Sequence, residues 1–436
     1  MNKLSLLLTA SLVFTLSSIF AQNNVDFIKK NAAEIAIDIN NEDYTDFNKL
    51  SESIKDSRII FLGEESHGDG TTFETKARLV KFLHEKMGFN VLAFESSLYN
   101  AERAWRVAHW DKDPAKVIQN STFELWGQTQ QFLPLASYIA SSIKTPNPLR
   151  VTGFDPQLHG TYLRRDLPVD FLMFLKAKNI AFKDMAEQDT FYRVYNTLNF
   201  GVKKNNVVDQ ELKSQIIQRL PSFKRILDQK ISEISNLKQD SLVNFWKQFW
   251  VSTRAYLPVI LEQKEIETGN TLSKSTRDSL MAQNLIWIAK SQYPAEKIII
   301  WAASMHIGKT YIETNGKAEK IAVPTMGDFL TDRLTDRYYS ICFTAYDGEI
   351  AQYYSPTVSK IDKPSADSFE TLFEEAGFKN AYLDLKSLSK TNKGKWLNDP
   401  RSMRPYGYHP LVRKWPQIFD AVIFNKQMSR AIPVKQ

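Results

Sequence analysis

Two histidines and several acids stand where short apolar runs end. Gly63-Glu64-Glu65-Ser66-His67-Gly68 follows one run, Glu95 closes a second, Asp155 a third, and Ser304-Met305-His306 follows a fourth. A histidine beside a carboxylate can take a proton from water and later return it to a leaving alkoxide. A second histidine or an arginine can hold the oxyanion of a tetrahedral intermediate. The same two histidines with two or three carboxylates could instead hold a divalent metal that activates the water. Residue types alone leave both chemistries open.

Other chemistries lack their parts. A Gly-x-Ser-x-Gly elbow is missing around Ser66, because Glu64 stands two positions before it. No Gly-x-Gly-x-x-Gly, P-loop or His-Glu-x-x-His pattern occurs. The one cysteine, Cys342, forbids an intrachain disulfide and any multi-cysteine metal site. It lies in the strand-like run Tyr338–Phe343 with no polar neighbour to activate it, so a buried, inert thiol is expected.

The elements that must position these residues are legible. Arg58–Leu62, Asn90–Phe94, Leu149–Phe154 and Lys297–Trp301 are continuous apolar runs, the pattern of parallel strands buried on both faces. In an open α/β sheet, ligands bind beyond the carboxyl ends of such strands, where Glu64, His67, Glu95, Asp155 and His306 would all gather. Thr71 or Thr72 would cap the helix after the first strand, with Glu74 and Thr75 in its first turn and Gly88 stopping it. Gly68-Asp69-Gly70 would turn the chain sharply and set His67 near the positive helix N-terminus. Helical repeats then fill Val169–Phe182, Gln210–Leu237, Ser241–Gln263 and Thr276–Ser291. The third has a dense aromatic face (Phe245, Trp246, Phe249, Trp250, Tyr256) expected to pack internally. Strands are expected at Tyr338–Phe343, Ala381–Leu385 and Ile418–Phe424. Two long loops, Asp347–Asp367 and Ser387–Pro410, separate them. Tyr353 and Tyr354 in the first, with Trp396, Tyr406 and Tyr408 in the second, could stack on a bulky substrate, and Arg404 could meet an anionic or polar substituent. The fold class expected is α/β: an open, mainly parallel sheet flanked by helices, with a large, mostly helical insertion or cap at about residues 160–295 of a single domain spanning 22–436.

Composition bounds the rest. The chain has 436 residues, 43% hydrophobic and 24% charged, which excludes disordered and fibrous classes. Its net charge is +7 without a Lys/Arg-rich run, so no nucleic-acid partner is expected. Met1-Asn2-Lys3, the apolar stretch Leu4–Phe20 and Ser18-Ile19-Phe20-Ala21 form a secretory leader with cleavage expected after Ala21. That stretch is short of the roughly 20 residues that span a bilayer. A periplasmic or secreted protein without a stable membrane anchor is the expectation.

Taken together, these blocks resemble a known family. Phe61–Gly68, Lys76-Ala77-Arg78-Leu79, Gly88-Phe89 and Phe94-Glu95 resemble the opening of erythromycin esterases. Gly153–Gln157, Arg277–Asn284, Trp301–Gly308 and Met326–Leu330 resemble later blocks of that family in the same order. The resemblance implies hydrolysis of the lactone ester of 14-membered macrolides; from the motifs, no cofactor is expected and a divalent metal is not excluded. It implies His67 as general base, Glu64 and Glu95 as its carboxylate partners, and His306 as a second essential imidazole. Asp155 and Arg277 match motif positions and are assigned to substrate binding, as are Arg404, Tyr353 and Tyr354. The chain departs from the family pattern at Lys76, where Arg is common, and at Ala303 and Ser304, where His and Asn are common. Two rival readings share this scaffold: a metal-dependent hydrolase of another acyl or peptide linkage, and a non-catalytic binder of glycans or lipids.

Overall fold

The computed structural model describes residues 22–200, 203–204, 207–208, 210–261, 271–309, 323–331, 333–334 and 338–435. The expected leader, residues 1–21, lies outside the described residues. Nine strands form one sheet: β1 Ala33–Glu34, β2 Ile59–Leu62, β3 Phe89–Ser97, β4 Arg150–Asp155, β5 Lys297–Trp301, β6 Tyr338–Ile350, β7 Ser359–Ile361, β8 Asn380–Asp384 and β9 Ala421–Met428. Their spatial order is β1-β8-β9-β6-β2-β5-β3-β4, with β7 added to β6. The six from β9 to β4 run parallel, while β1, β7 and β8 pair antiparallel. The mainly parallel α/β sheet read from the continuous apolar runs is therefore present.

Alternation within each run feeds two layers. Ile60, Leu62, Leu92, Phe94, Ile299 and Trp301 belong to one core, and Ile59, Phe61, Val91, Ala93, Ile298 and Ile300 to the other. Helix α1, Gly70–Met87, crosses from β2 to β3 and buries Phe73, Ala77, Val80 and Leu83. It ends at Gly88 in the left-handed region (φ 72°), the residue expected to stop it. Its start differs from expectation, because Asp69 rather than Thr71 or Thr72 holds the N-cap position. Both threonine hydroxyls are engaged elsewhere, Thr71 with Ser429 and Thr72 with Glu65.

The stretch between β4 and β5 is helical, as expected, but its divisions differ. It contains α2 Thr161–Ala177, α3 Met185–Phe200, α4 Gln210–Ser235, α5 Ser241–Leu261 and α6 Thr271–Trp287. The sequence reading missed α3, began α2 too late and began α6 too late. The aromatic face of α5 packs internally: Trp246 and Trp250 share a buried cluster with Phe171, Phe174 and Phe191. Among the described residues, no helix is long and apolar enough to cross a membrane.

Neither expected long loop is a loop throughout. The first is largely a hairpin, since β6 runs to Ile350 and pairs with β7 through Gly348 and Ile361. The second holds short helical turns and the strand Arg401–Met403, paired with Leu411–Arg413. After β9 the C-terminal tail crosses the turn between β2 and α1. Ser429 O accepts from Gly70 N, Ala431 N donates to Gly68 O, and Val434 N reaches Gln128 O.

Candidate active site

His67 rides on the turn from β2 to α1. The glycines of that turn have ordinary φ angles, so the sharp reversal expected of them is not their role. Close approach is the reason for them: a Cβ on Gly68 would meet the Ala351 backbone at 2.9 Å, and one on Gly70 the Arg430 carbonyl oxygen at 2.5 Å. Packed this way, the turn places His67 Nδ1 2.9 Å from Glu64 Oε1. Glu64 is fully buried and takes two further donors, Trp126 Nε1 at 2.7 Å and Lys76 Nζ at 2.6 Å. Burial alone would raise its carboxyl pKa, but Lys76 and His67 hold it below the usual carboxylate range. The His67 ring stands edge-on to Trp126 and keeps 26% of its side chain exposed.

A second group lies alongside, built from β3, β4, α6 and the turn after β5. Arg277 reaches Glu95 Oε1 at 2.8 Å and grips both oxygens of Asp155. His306 is buried between two acids, with Nδ1 2.8 Å from Asp278 and Nε2 3.2 Å from Glu95. Burial opposes its charge, yet Glu95 and Asp278 outweigh burial and push its pKa up to about 9. At neutral pH it is therefore an imidazolium with both N–H groups donated. Its Nε2 also lies 3.2 Å from Arg277 Nη1. In that state the approach is a contact of two cations, tolerated because Glu95, Asp155 and Asp278 surround them. The backbone after β5 joins the two groups: Ser304 N donates to Glu64 O at 2.8 Å, and Ala303 N to Glu95 Oε2 at 2.9 Å.

The structure thus brings Glu64, His67, Glu95, Asp155, Arg277 and His306 to one edge of the sheet. Glu95 differs from its expected place, for it makes no hydrogen bond to His67 and serves Arg277 and His306 instead. Arg404 is not brought there. Its guanidinium is buried against the carbonyls of Ala345, Tyr346 and Asp362, where it ties down the β6–β7 hairpin. Tyr353 donates to Glu124 Oε2 at 2.5 Å, beside the short helix bearing Trp126, and Tyr354 is 64% exposed. Trp396 packs on Phe27 and Phe369, and Tyr406 on Trp415 and Phe419, so these aromatic rings serve the core. Cys342 is buried beside the Ala421 carbonyl, and burial pushes its thiol pKa up, as an inert thiol requires. Among the described residues, no three His, Cys, Asp or Glu side chains converge in a metal-binding arrangement.

Sequence reasoning missed Asp278 and Trp126. Asp278 adjoins Arg277 in the family-like block Arg277–Asn284, a signal that was available. Trp126 carried none, because its partner Glu64 is 62 residues away.

The family model for erythromycin esterases matches residues 84–428, and the chain belongs to that family. That match includes Glu95, Asp155, Arg277 and His306, while Glu64, His67 and Lys76 precede it. A putative hydrolase, YbfO of Bacillus subtilis (strain 168), is 26% identical over 415 residues, covering 92% of this chain and 90% of that protein. Erythromycin esterase type II of Escherichia coli is 23% identical over 372 residues, covering 80% and 85%. Among solved structures, a succinoglycan biosynthesis protein superposes with a TM-score of 0.72 at 18% identity, covering 94% of this chain and 98% of that one. A mutant erythromycin esterase in its open conformation gives 0.68 at 19%, covering 93% and 99%. Both share the fold.

Proposed function

We propose that this chain is an exported hydrolase that cleaves a macrolactone or related bulky ester with water activated at His67. The observation that carries this is the division of labour between the two imidazoles. His306 has both nitrogens committed to acids. His67 has Nδ1 held by Glu64, which leaves Nε2 to accept a proton from water in a partly open position. The hydroxide adds to the ester carbonyl carbon, and the oxyanion that forms meets the Arg277 guanidinium, with the buried His306 behind it. As the tetrahedral intermediate collapses, the His67 imidazolium returns its proton to the departing alkoxide, giving an acid and an alcohol. Arg277 keeps 20% of its side chain exposed, enough for one edge to meet substrate while Asp155 and Glu95 fix the other. The helical insertion α2 to α6, which supplies Arg277, and the exposed Tyr354 ring support a large substrate. Membership in a family with named erythromycin esterases supports the ester, and the leader supports export.

Incubation with erythromycin followed by mass spectrometry tests the reading. A product heavier by one water, lost in His67→Ala, is expected, with a rate drop of about 10² to 10⁴. Hydrolysis of another bulky ester or acyl-sugar by the wild type alone would keep the base and replace the macrolide. A near-wild-type rate in His67→Ala would overturn the assignment.

A further inference from the structure

Glu65 and Asp69 flank Ser66-His67-Gly68, and both carboxyl groups are buried. Asp69 Oδ2 accepts the Ser66 N–H at 2.7 Å, and Oδ1 accepts the Tyr408 hydroxyl at 3.0 Å. Glu65 Oε2 accepts the Thr72 hydroxyl at 3.2 Å, and Thr72 in turn takes an N–H from Asn425 at 3.3 Å. Glu65 Oε1 is buried with no donor. The two carboxyl groups lie within hydrogen-bonding reach of each other. Among the described residues, no lysine or arginine bonds either one; the Lys76 ammonium is bonded to Glu64 and acts on Glu65 only through space. The other titratable groups facing the pair are Glu64, the Cys342 thiol and the Tyr408 phenol, none of them a cation.

Two buried carboxylates at this separation repel, and a single proton between them turns repulsion into an O–H···O bond. We propose that Glu65 and Asp69 share one proton and act as a positioning pair for the turn that carries His67, and that loss of this proton loosens the turn. The pair gives Glu65 Oε1 its missing partner. It leaves Asp69 free to hold the Ser66 N–H, one peptide from His67, while the Glu65 carbonyl accepts the Gly407 N–H at 2.8 Å. Burial pushes the Glu65 carboxyl up to about 7 and the Asp69 carboxyl well above its ordinary range. With a folded pKa above the unfolded one, this contribution to stability is complete at low pH and is lost as pH rises through about 7. The value of the pair to catalysis rests on His67 being the base; its effect on the turn does not.

Peptide-level hydrogen exchange of the full chain, corrected for intrinsic rates, tests the pair without any substrate. In the wild type, protection across residues 65–70 is expected to fall, by up to about tenfold per pH unit, as pH rises from the ordinary carboxylate value of 4.5 through about 7, and to level off once the shared proton is gone. Glu65→Gln supplies a permanent donor to Asp69 and should hold protection level across that same range. Equal pH dependence in wild type and variant, or a wild type without a step, would overturn the proposal. Should Glu65→Gln not fold, Thr72→Val serves instead. It strips the Glu65 carboxylate of its hydroxyl donor and should move the step to higher pH; an unmoved step would count against the pair. Failure here leaves the hydrolysis test with erythromycin unaffected.

Discussion

The Lys76 ammonium and the Glu64 carboxylate meet at 2.6 Å, and neither side chain touches solvent. Lys76 also lies 4.2 Å from the centroid of the Trp301 ring, on the strand whose end supplies Ala303 and Ser304. One ammonium thus sets the charge of the residue that orients His67 and packs against the strand serving the second group. Removing it leaves a buried carboxylate with only His67 and Trp126 as donors. Lys76→Met is therefore expected to cost about 3 to 5 kcal/mol of stability. Urea denaturation at neutral pH measures it, and a loss below about 1 kcal/mol would mean that His67 alone neutralises Glu64.

His306 carries the complementary prediction. Its pKa is raised to about 9 against burial by Glu95 and Asp278, so folding takes up a proton there. The stabilisation is complete below the ordinary value of 6.5 and disappears as pH climbs through about 9. His306→Gln should lower stability by roughly 2 to 3 kcal/mol near neutral pH and much less above about pH 10. Melting temperatures across that range, compared with the wild type, give the answer directly.

Metal dependence separates two chemistries that the residue types left open. Arg277, Lys76 and backbone N–H groups already occupy oxygens of Glu64, Glu95 and Asp155. Turnover is expected to persist after EDTA treatment and dialysis, with less than one equivalent of metal per chain by elemental analysis. Activity lost to EDTA and restored by zinc or manganese would transfer water activation to an ion.

Export makes its own forecast. Protein recovered from the periplasm or medium should begin at Gln22, as N-terminal peptide mass spectrometry would reveal. A chain retaining Met1 in the cytoplasm would remove the extracytoplasmic assignment.

Legibility followed the range of the interactions. The parallel strands could be read because burial on both faces leaves an uninterrupted apolar run, and Gly88 could be read because a helix end needs its left-handed φ. Five of the six polar residues at the sheet edge could be read because each closes or soon follows a strand, whereas Arg277, inside α6, was pointed to only by the family resemblance. Arg404 could not, since nothing local reveals that the carbonyls of Ala345, Tyr346 and Asp362 will surround it. The cap of α1 was misplaced for the same reason, as the hydroxyls of Thr71 and Thr72 are claimed by Ser429 and Glu65. The partner of His67 was narrowed to two acids by sequence, and only the packing of Arg277 drew Glu95 away.

The tail that crosses the His67 turn carries a consequence for timing. Ser429 N bonds Thr71 Oγ1 across a separation of 358 residues, and Ala431 closes on Gly68 in the same strap. Contacts so distant along the chain form late in folding, after the local helices and the first β-α-β unit. The turn bearing His67 is thus finished by residues that leave the ribosome more than 350 positions after it. A chain whose tail has yet to dock would hold strands and helices but an incomplete site, so any hydrolytic activity would begin only once residues 429–434 are in place.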